Sequence, residues 1–188
     1  MVILNAYIYP VETAPVENGY LRFGKTILEM GTMEQYLPQE GEEVFDAQGG
    51  WVLPGLVDIH THSDGKVFFY DDPKSVGHHL KHGTTTILAA LYFSMTTEEF
   101  VDAMGKLREA MKDPDCKNLC GIYMEGPYMN PKFGADRENN PWKGPILKEE
   151  YQPIIDAVGT DAKVWVLAPE RENILQFVLD ARKNNPTV

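Results

Sequence analysis

The segment Leu56-Val-Asp-Ile-His-Thr-His62 constrains this chain more than any other stretch of it. An apolar run from Leu56 to Ile59 ends in two histidines spaced i and i+2. Successive side chains on a strand point to opposite faces, so i and i+2 share one. Two imidazoles therefore leave one strand end side by side, an arrangement suited to gripping a divalent metal. Pro54-Gly55 just before the run turns the chain sharply into that strand. Two imidazoles presented this way point to metal-dependent hydrolysis.

Before this point the texture is that of short strands broken by turns. Val2–Tyr9 reads as a strand, Asn18-Gly19 as a turn, and Tyr20–Phe23 and Lys25–Met30 as the arms of a hairpin or meander. Val44–Asp46 is a further short strand before Gln48-Gly49-Gly50. Residues 1–50 are too few to bury a core alone and need partner strands. From Trp51 strands and helices alternate. Val52–Ile59 is expected to be a first, buried strand, followed by a helical stretch at Lys74–His82, a strand at Thr84–Leu91 and an amphipathic helix at Thr97–Met111. Thr97 can cap that helix, and Phe100, Val101, Met104, Leu107 and Met111 recur at helical spacing. A strand at Leu119–Met124, a helix at Lys148–Val158, a strand at Val164–Ala168 and a helix at Glu172–Asn184 complete the series. About four βα units in a row predict an α/β fold with a parallel sheet.

Three of these strand ends carry polar residues of the same chemical kind. The first ends in His60 and His62, the third in Glu125, and the fourth in Ala168-Pro-Glu170. In parallel α/β barrels the C-terminal strand ends form the active face, so these side chains should converge. Imidazole nitrogen with carboxylate oxygen suits zinc, or iron or manganese in a more oxygen-rich shell. His78, His79 and His82 form a second histidine cluster, but on a helix expected to pack outside the sheet, away from those ends. Cys116 and Cys120 have no second pair nearby and read as reduced thiols. Trp51 and Trp165 read as core or interface aromatics, and Met124 and Met129 as filler around Glu125.

Charge narrows the partners. The 188-residue chain carries 28 acids against 17 bases, a formal charge of −11. Nucleic acid and anionic membrane both need basic surface, so neither is expected. A small anionic substrate is compatible with this charge, since a few local bases can outweigh the global field. The N-terminus lacks the basic region and longer apolar core of a signal peptide, and no segment approaches a membrane-spanning length. Cytoplasm is the default compartment.

The sequence Pro54-Gly-Leu-Val-Asp-Ile-His-Thr-His62, with His82-Gly-Thr-Thr-Thr86, resembles the first two strands of the amidohydrolase superfamily. Within it, Met124-Glu-Gly-Pro-Tyr-Met-Asn-Pro131, Lys132-Phe-Gly-Ala-Asp136 and Leu167-Ala-Pro-Glu170 resemble the N-acetylglucosamine-6-phosphate deacetylases, from about residue 40 to the end. The resemblance implies the N-terminal portion of a (β/α)8 TIM-like barrel over residues 51–188, preceded over residues 1–50 by part of a small β-sandwich. It implies that Glu125 is the main metal ligand, and that His60 and His62 hold a second metal used by some members. Ala135 and Asp136 fall where the family has a small residue and a substrate-contacting histidine. An aspartate cannot play that histidine's part toward a phosphorylated sugar. The segment Arg137–Pro145 departs from the family pattern, and Arg137 or Lys143 is a candidate for the missing positive charge.

A typical closed barrel takes about 250 residues and eight strands. The family's fifth-strand histidine, a further metal histidine and the catalytic aspartate have no counterpart in this sequence, so no catalytic acid or base is assigned within it. The expected activity of the complete enzyme is deacetylation of a small N-acetyl amino sugar phosphate, with a divalent metal, zinc first. The chain alone is expected to be inactive, and to form homo-oligomers across its open sheet edges. Two other readings stand beside this one. A dihydroorotase- or deaminase-like enzyme would often carry a carboxylated lysine on the fourth strand, where Val166-Leu-Ala-Pro-Glu170 has none. A catalytically dead half-barrel would serve as a binding or assembly module.

Overall fold

The computed structural model describes residues 1–134 and 136–188, so Ala135 lies outside the described residues. The chain divides into two compact units, Met1–Gly55 and Leu56–Val188. Together they make an α/β protein with one sheet in each unit.

The first unit is a mainly antiparallel sheet of β1 (Val2–Ile8), β2 (Val16–Phe23), β3 (Ile27–Thr32), β4 (Val44–Asp46) and β5 (Trp51–Val52). The order is β3-β2-β1-β4, and β5 pairs in parallel with the far end of β1. Val2, Ala6 and Ile8 are buried, with Leu21 of the neighbouring strand against Ala6 and Ile8. The expected turn at Asn18-Gly19 is instead the inside of β2. Asn18 takes φ 45°, and the β1–β2 register shifts between Ala6 and Ile8, which marks a bulge. Space favours Gly19 there: a Cβ would meet Ile8 Cδ1 at 2.8 Å and Val16 Cγ1 at 2.9 Å, and those side chains would have to shift. The hairpin turns later, between Phe23 and Ile27.

Val52 does not run on into the histidine strand. It pairs with Ile8 in the first sheet, and Pro54, which has no N–H to give a ladder, lies in the break. Trp51 is not a core residue either: it is 65% exposed and lies flat on Tyr7 and Tyr9.

The second unit is a parallel sheet in sequence order: β6 (Leu56–Thr61), β7 (Thr84–Leu91), β8 (Leu119–Glu125) and β9 (Ala162–Val166). The connections carry α1 (Val76–Leu80) and α2 (Thr97–Ala110), then α3 (Lys148–Val158), with α4 (Ile174–Asn184) after the last strand. The cap of α2 is Thr96 rather than Thr97. Its hydroxyl accepts from Glu99 N at 3.3 Å, while Thr96 N donates to Glu99 Oε2 at 2.7 Å, a capping box. Phe100, Ala103, Met104 and Leu107 then fall on one buried stripe. Ile87, Ala89, Leu91, Ile122 and Met124 meet that stripe from the sheet. Leu88, Ala90, Tyr123 and Glu125 alternate with them, and so belong to the opposite face.

The strand with the histidines is not buried. β7 is buried over most of its length, whereas Leu56, Val57 and Ile59 of β6 are each more than half exposed. The reason is position: among the described residues β6 has a neighbour on one side only.

Candidate metal centre

The C-terminal ends of β6 and β8 bring His60, His62 and Glu125 together. Their ligand atoms all lie within 4.8 Å of one another. Glu125 Oε2 is 3.1 Å from His62 Nε2 and 3.5 Å from His60 Nε2. Donors bound about 2.1 Å from a tetrahedral ion stand roughly 3.4 Å apart, so the donor set is spaced for one. Glu125 Oε2 is buried and lacks an aligned hydrogen bond, as does His62 Nδ1. A buried carboxylate oxygen facing two imidazole nitrogens without a proper donor is what a cation would satisfy.

The surroundings fix these rings. His60 lies flat on Tyr123, with centroids 4.2 Å apart, and His62 meets Tyr92 edge-on at 5.4 Å. Asp58 Oδ1 accepts from His60 N at 3.1 Å and steadies the strand end. Burial alone would raise the Glu125 carboxyl, but His62 and His60 outweigh it and hold it below the usual carboxylate range. Burial, then the charge of Glu125, pushes the Tyr92 and Tyr123 phenols up, and Asp136 adds to the shift at Tyr92.

Glu125 is followed by Gly126 at φ 104°, and a Cβ there would sit 2.9 Å from Phe93 Cβ. Only glycine lets the chain pass this close and leave the strand in that direction. The loop beyond is pinned to the loop after β9. Ala168 N donates to Tyr128 O, and the Arg171 guanidinium donates to the carbonyls of Met129, Trp142 and Gly144 while lying 5.2 Å over the Tyr128 ring. Trp142 is buried and donates to Met95 O at 2.8 Å. The three donors open onto a cleft of about 630 Å³ walled by Tyr92, Phe93, Met129 and Phe133.

The other expected residues fall as follows. Glu170 lines the same cleft but stands outside the donor cluster, and its Oε1 accepts from Asn130. Its strand stops at Val166, so Glu170 belongs to a loop and not to a strand end. Asp136 accepts from Asn139 Nδ2 at 2.8 Å, at the start of a short 3-10 turn. Arg137 contacts Glu138, Lys143 donates to Glu138 O, and neither lines the cleft. His78 and His79 are not remote from the strand ends. His78 Nδ1 is 2.7 Å from Asp64 Oδ2 and His79 Nε2 is 3.1 Å from Ser63 O, so they tie down the loop that follows His62. Cys116 and Cys120 are free thiols, the first buried and the second exposed.

The sequence reading passed over Tyr123, Tyr92 and Arg171. Tyr123 stands two residues before Glu125, so strand alternation alone places it on the same face as Glu125. Arg171 has no such signal, because all three of its hydrogen bonds go to loop carbonyls.

The fold is a known one. A solved N-acetyl-D-glucosamine-6-phosphate deacetylase from Mycobacterium smegmatis matches with a TM-score of 0.71 at 24% identity, over 96% of this chain and 52% of that one. The chain shares its fold with that deacetylase. The N-acetylglucosamine-6-phosphate deacetylase of Bacillus subtilis is 22% identical over 175 residues, which are 89% of this chain and 44% of the relative. An adenine deaminase of Bacillus velezensis is 26% identical over 151 residues, 79% of this chain and 25% of its own length. The chain thus spans about half the length of the deacetylases it matches. No protein-family model matches it. Among the described residues no helix is long and apolar enough to cross a membrane.

Proposed function

We propose that the second unit is the first half of a (β/α)8 amidohydrolase barrel, that the first unit is part of a small β-sandwich, and that the complete enzyme hydrolyses an amide with a divalent metal. The observation that carries this is the convergence of His60, His62 and Glu125 at parallel strand ends, with one buried carboxylate oxygen short of a partner. A divalent ion held there, zinc first and iron or manganese next, would supply Lewis acidity and lower the pKa of water to about 7. The chain's own side chains do the rest of what this half contributes. Tyr123 under His60 and Tyr92 against His62 hold the imidazoles in position. Phe93, Phe133 and Met129 wall the cleft with apolar surface and thin out water near the ligands.

The substrate that fits the resemblance is an N-acetyl amino sugar phosphate, with Ala135 and Asp136 next to it. Asp136 repels a phosphate, and the two candidate cations, Arg137 and Lys143, contact Glu138 and do not line the cleft. The amide end of the substrate is therefore better supported than its phosphate. A deaminase reading is favoured by the adenine deaminase similarity and uses the same donors.

By itself the chain should turn nothing over. Glu125 is a ligand and Glu170 is held by Asn130, so neither is placed to shuttle a proton, and the His60 side chain is 42% exposed. Elemental analysis of chelator-free protein tests the site. About one zinc, iron or manganese per chain is expected, and Glu125→Gln should abolish it. A Glu125→Gln variant that keeps the metal would sink the assignment, and metal-free wild-type protein would mean that these three residues do not form a site without the other half.

A further inference from the structure

We infer that Arg171 is a positioning residue for the substrate: it holds the cleft wall that carries Met129, Asn130 and Phe133, and has no part in holding the metal. The inference rests on the metal-centre reading and adds which residue shapes the part of the site away from the ion. Residues 126–147 join β8 to α3 with only a short 3-10 turn, Arg137–Asn139, as regular structure among the described residues. A connection of this length samples many shapes unless it is fixed from outside. The stretch that lines the cleft, Met129, Asn130, Phe133 and Gly134, lies within it. Phe133 is 71% exposed, so its own packing does not hold it. An exposed ring beside a cluster of donors is placed to meet a ligand, provided its backbone stays put.

Arg171 supplies that fixing from the loop between β9 and α4. Its Nη1 donates to Met129 O at 3.2 Å and to Trp142 O at 2.6 Å, and its Nη2 donates to Gly144 O at 2.6 Å. One nitrogen thus ties the start of the lining stretch to a point beyond its end. The far anchor is itself seated, since Trp142 is buried and donates to Met95 O. The guanidinium also lies 5.2 Å over the ring of Tyr128, which is buried. Hydrogen bonds from a charged donor are roughly twice as strong as neutral ones. The same loop grips the lining stretch a second time, because Glu170 Oε1 accepts from Asn130 Nδ2.

The donors are held by other means. His60, His62 and Glu125 sit on strand ends, with Tyr123 and Tyr92 against the two rings. The Arg171 bonds end on Met129, Trp142 and Gly144, all beyond the end of β8. The cleft is therefore built in two parts, a metal end and a wall, that can fail one at a time. Loss of Arg171 should loosen the wall and spare the donors. A lysine there would keep the charge, but it lacks the planar fork that spans three carbonyls and stacks on a ring.

Two measurements on the full chain test this. Amide exchange needs no metal: Arg171→Met should speed exchange at least about tenfold at Met129 and Phe133 and leave Tyr123 and Glu125 in β8 as they were. The second measurement titrates the cobalt-loaded chain with two hydroxamates and follows the visible spectrum of the ion. Acetohydroxamate and benzohydroxamate chelate a metal through the same two oxygens, but only the phenyl ring is long enough to lie on the wall. Wild-type chain should prefer benzohydroxamate at least about tenfold. Arg171→Met should lose that preference, with the acetohydroxamate dissociation constant and the ligand-free spectrum unchanged. Arg171→Lys should behave the same way, and it covers the case in which the methionine variant fails to fold. Arg182→Met, the same charge removed at an exposed position of α4, should change nothing. A wild-type chain without the preference overturns the inference, as does a preference that survives Arg171→Met, returns with Arg171→Lys or is lost with Arg182→Met. Unchanged exchange at Phe133 overturns it as well. A chain that takes up no cobalt means that the three donors need the other half to form a site, and the exchange result then decides whether Arg171 holds the wall.

Discussion

Arg22 and Met104 lie at similar depth in their two units, 6% and 0% exposed, yet they are held by opposite kinds of interaction. The Arg22 guanidinium is shared among Glu29, Glu42 and Leu37 O, with Tyr20 and Tyr36 donating to the same two carboxylates. Met104 sits in a continuous apolar core with Phe100, Leu107, Ile122 and Met124. The first sheet has a small buried cluster, Ala6, Ile8 and Leu21, and relies on directional contacts beside it. The second buries enough apolar surface to carry a site on its opposite face. The difference teaches where a functional centre can be placed: buried, imperfectly satisfied polar atoms such as Glu125 Oε2 are tolerable only over a core large enough to offset them.

The hardest test of this contrast is Phe100→Ala. Phe100 is fully buried in the α2 stripe, and removing its ring should cost about 3–5 kcal/mol. Urea unfolding followed through Trp142 and Trp165, both in the second unit, would measure it. A cost below about 1 kcal/mol would mean that the core can collapse around the gap, and the contrast would fail on its apolar side.

Acid tests the other side. Hydrogen bonds from Arg22 and Tyr36 hold the Glu42 carboxyl down to about 2, against an ordinary 4.5. A depressed carboxyl stabilises the fold fully above its unfolded value, and the gain is lost as pH falls from about 4.5 through about 2. Tyr36 and Tyr20 work at the alkaline end. Donation to Glu42 and Glu29 raises their phenols above 10, so their contribution is present below that value and fades above it. Protection factors for amide exchange along β1 and β2 should therefore fall below about pH 4.5 while those along β7 and β8 hold. An equal fall in both sheets would refute the contrast between the ionic hold on Arg22 and the apolar core around Met104.

The same contrast explains what the sequence made legible. Periodic apolar spacing is a signal that a large core writes into a chain, so β7, β8, α2 and α3 were readable almost to the residue. The convergence of His60, His62 and Glu125 was readable because they sit at strand ends, where alternation fixes their face. The first unit misled at Asn18-Gly19, since an Asn-Gly pair serves a bulge as well as a turn, and only pairing with β1 distinguishes them. Trp51, read as a core or interface aromatic, is not in the core: a large aromatic next to an apolar run suggests burial, whereas here it stacks with two tyrosines at the surface. Arg171 and Trp142 left no periodic trace, because loop carbonyls, which any sequence supplies, are their partners.

The smallest effect expected separates helix propensity from core packing within the second unit. Thr96 caps α2 through the reciprocal bonds with Glu99, and Glu98 and Glu99 add negative charge at the helix's positive end. Thr96→Ala removes one acceptor from an otherwise unsatisfied backbone N–H and should cost about 1 kcal/mol. If α2 is held chiefly by the Phe100–Met104–Leu107 stripe, the loss should appear as faster exchange in its first turn, with Tm lowered by only a few degrees. A loss approaching that of Phe100→Ala would mean that the cap, a directional contact, carries the helix. The second unit would then depend on the same kind of interaction as the first, and the distinction drawn between Arg22 and Met104 would not separate the two sheets.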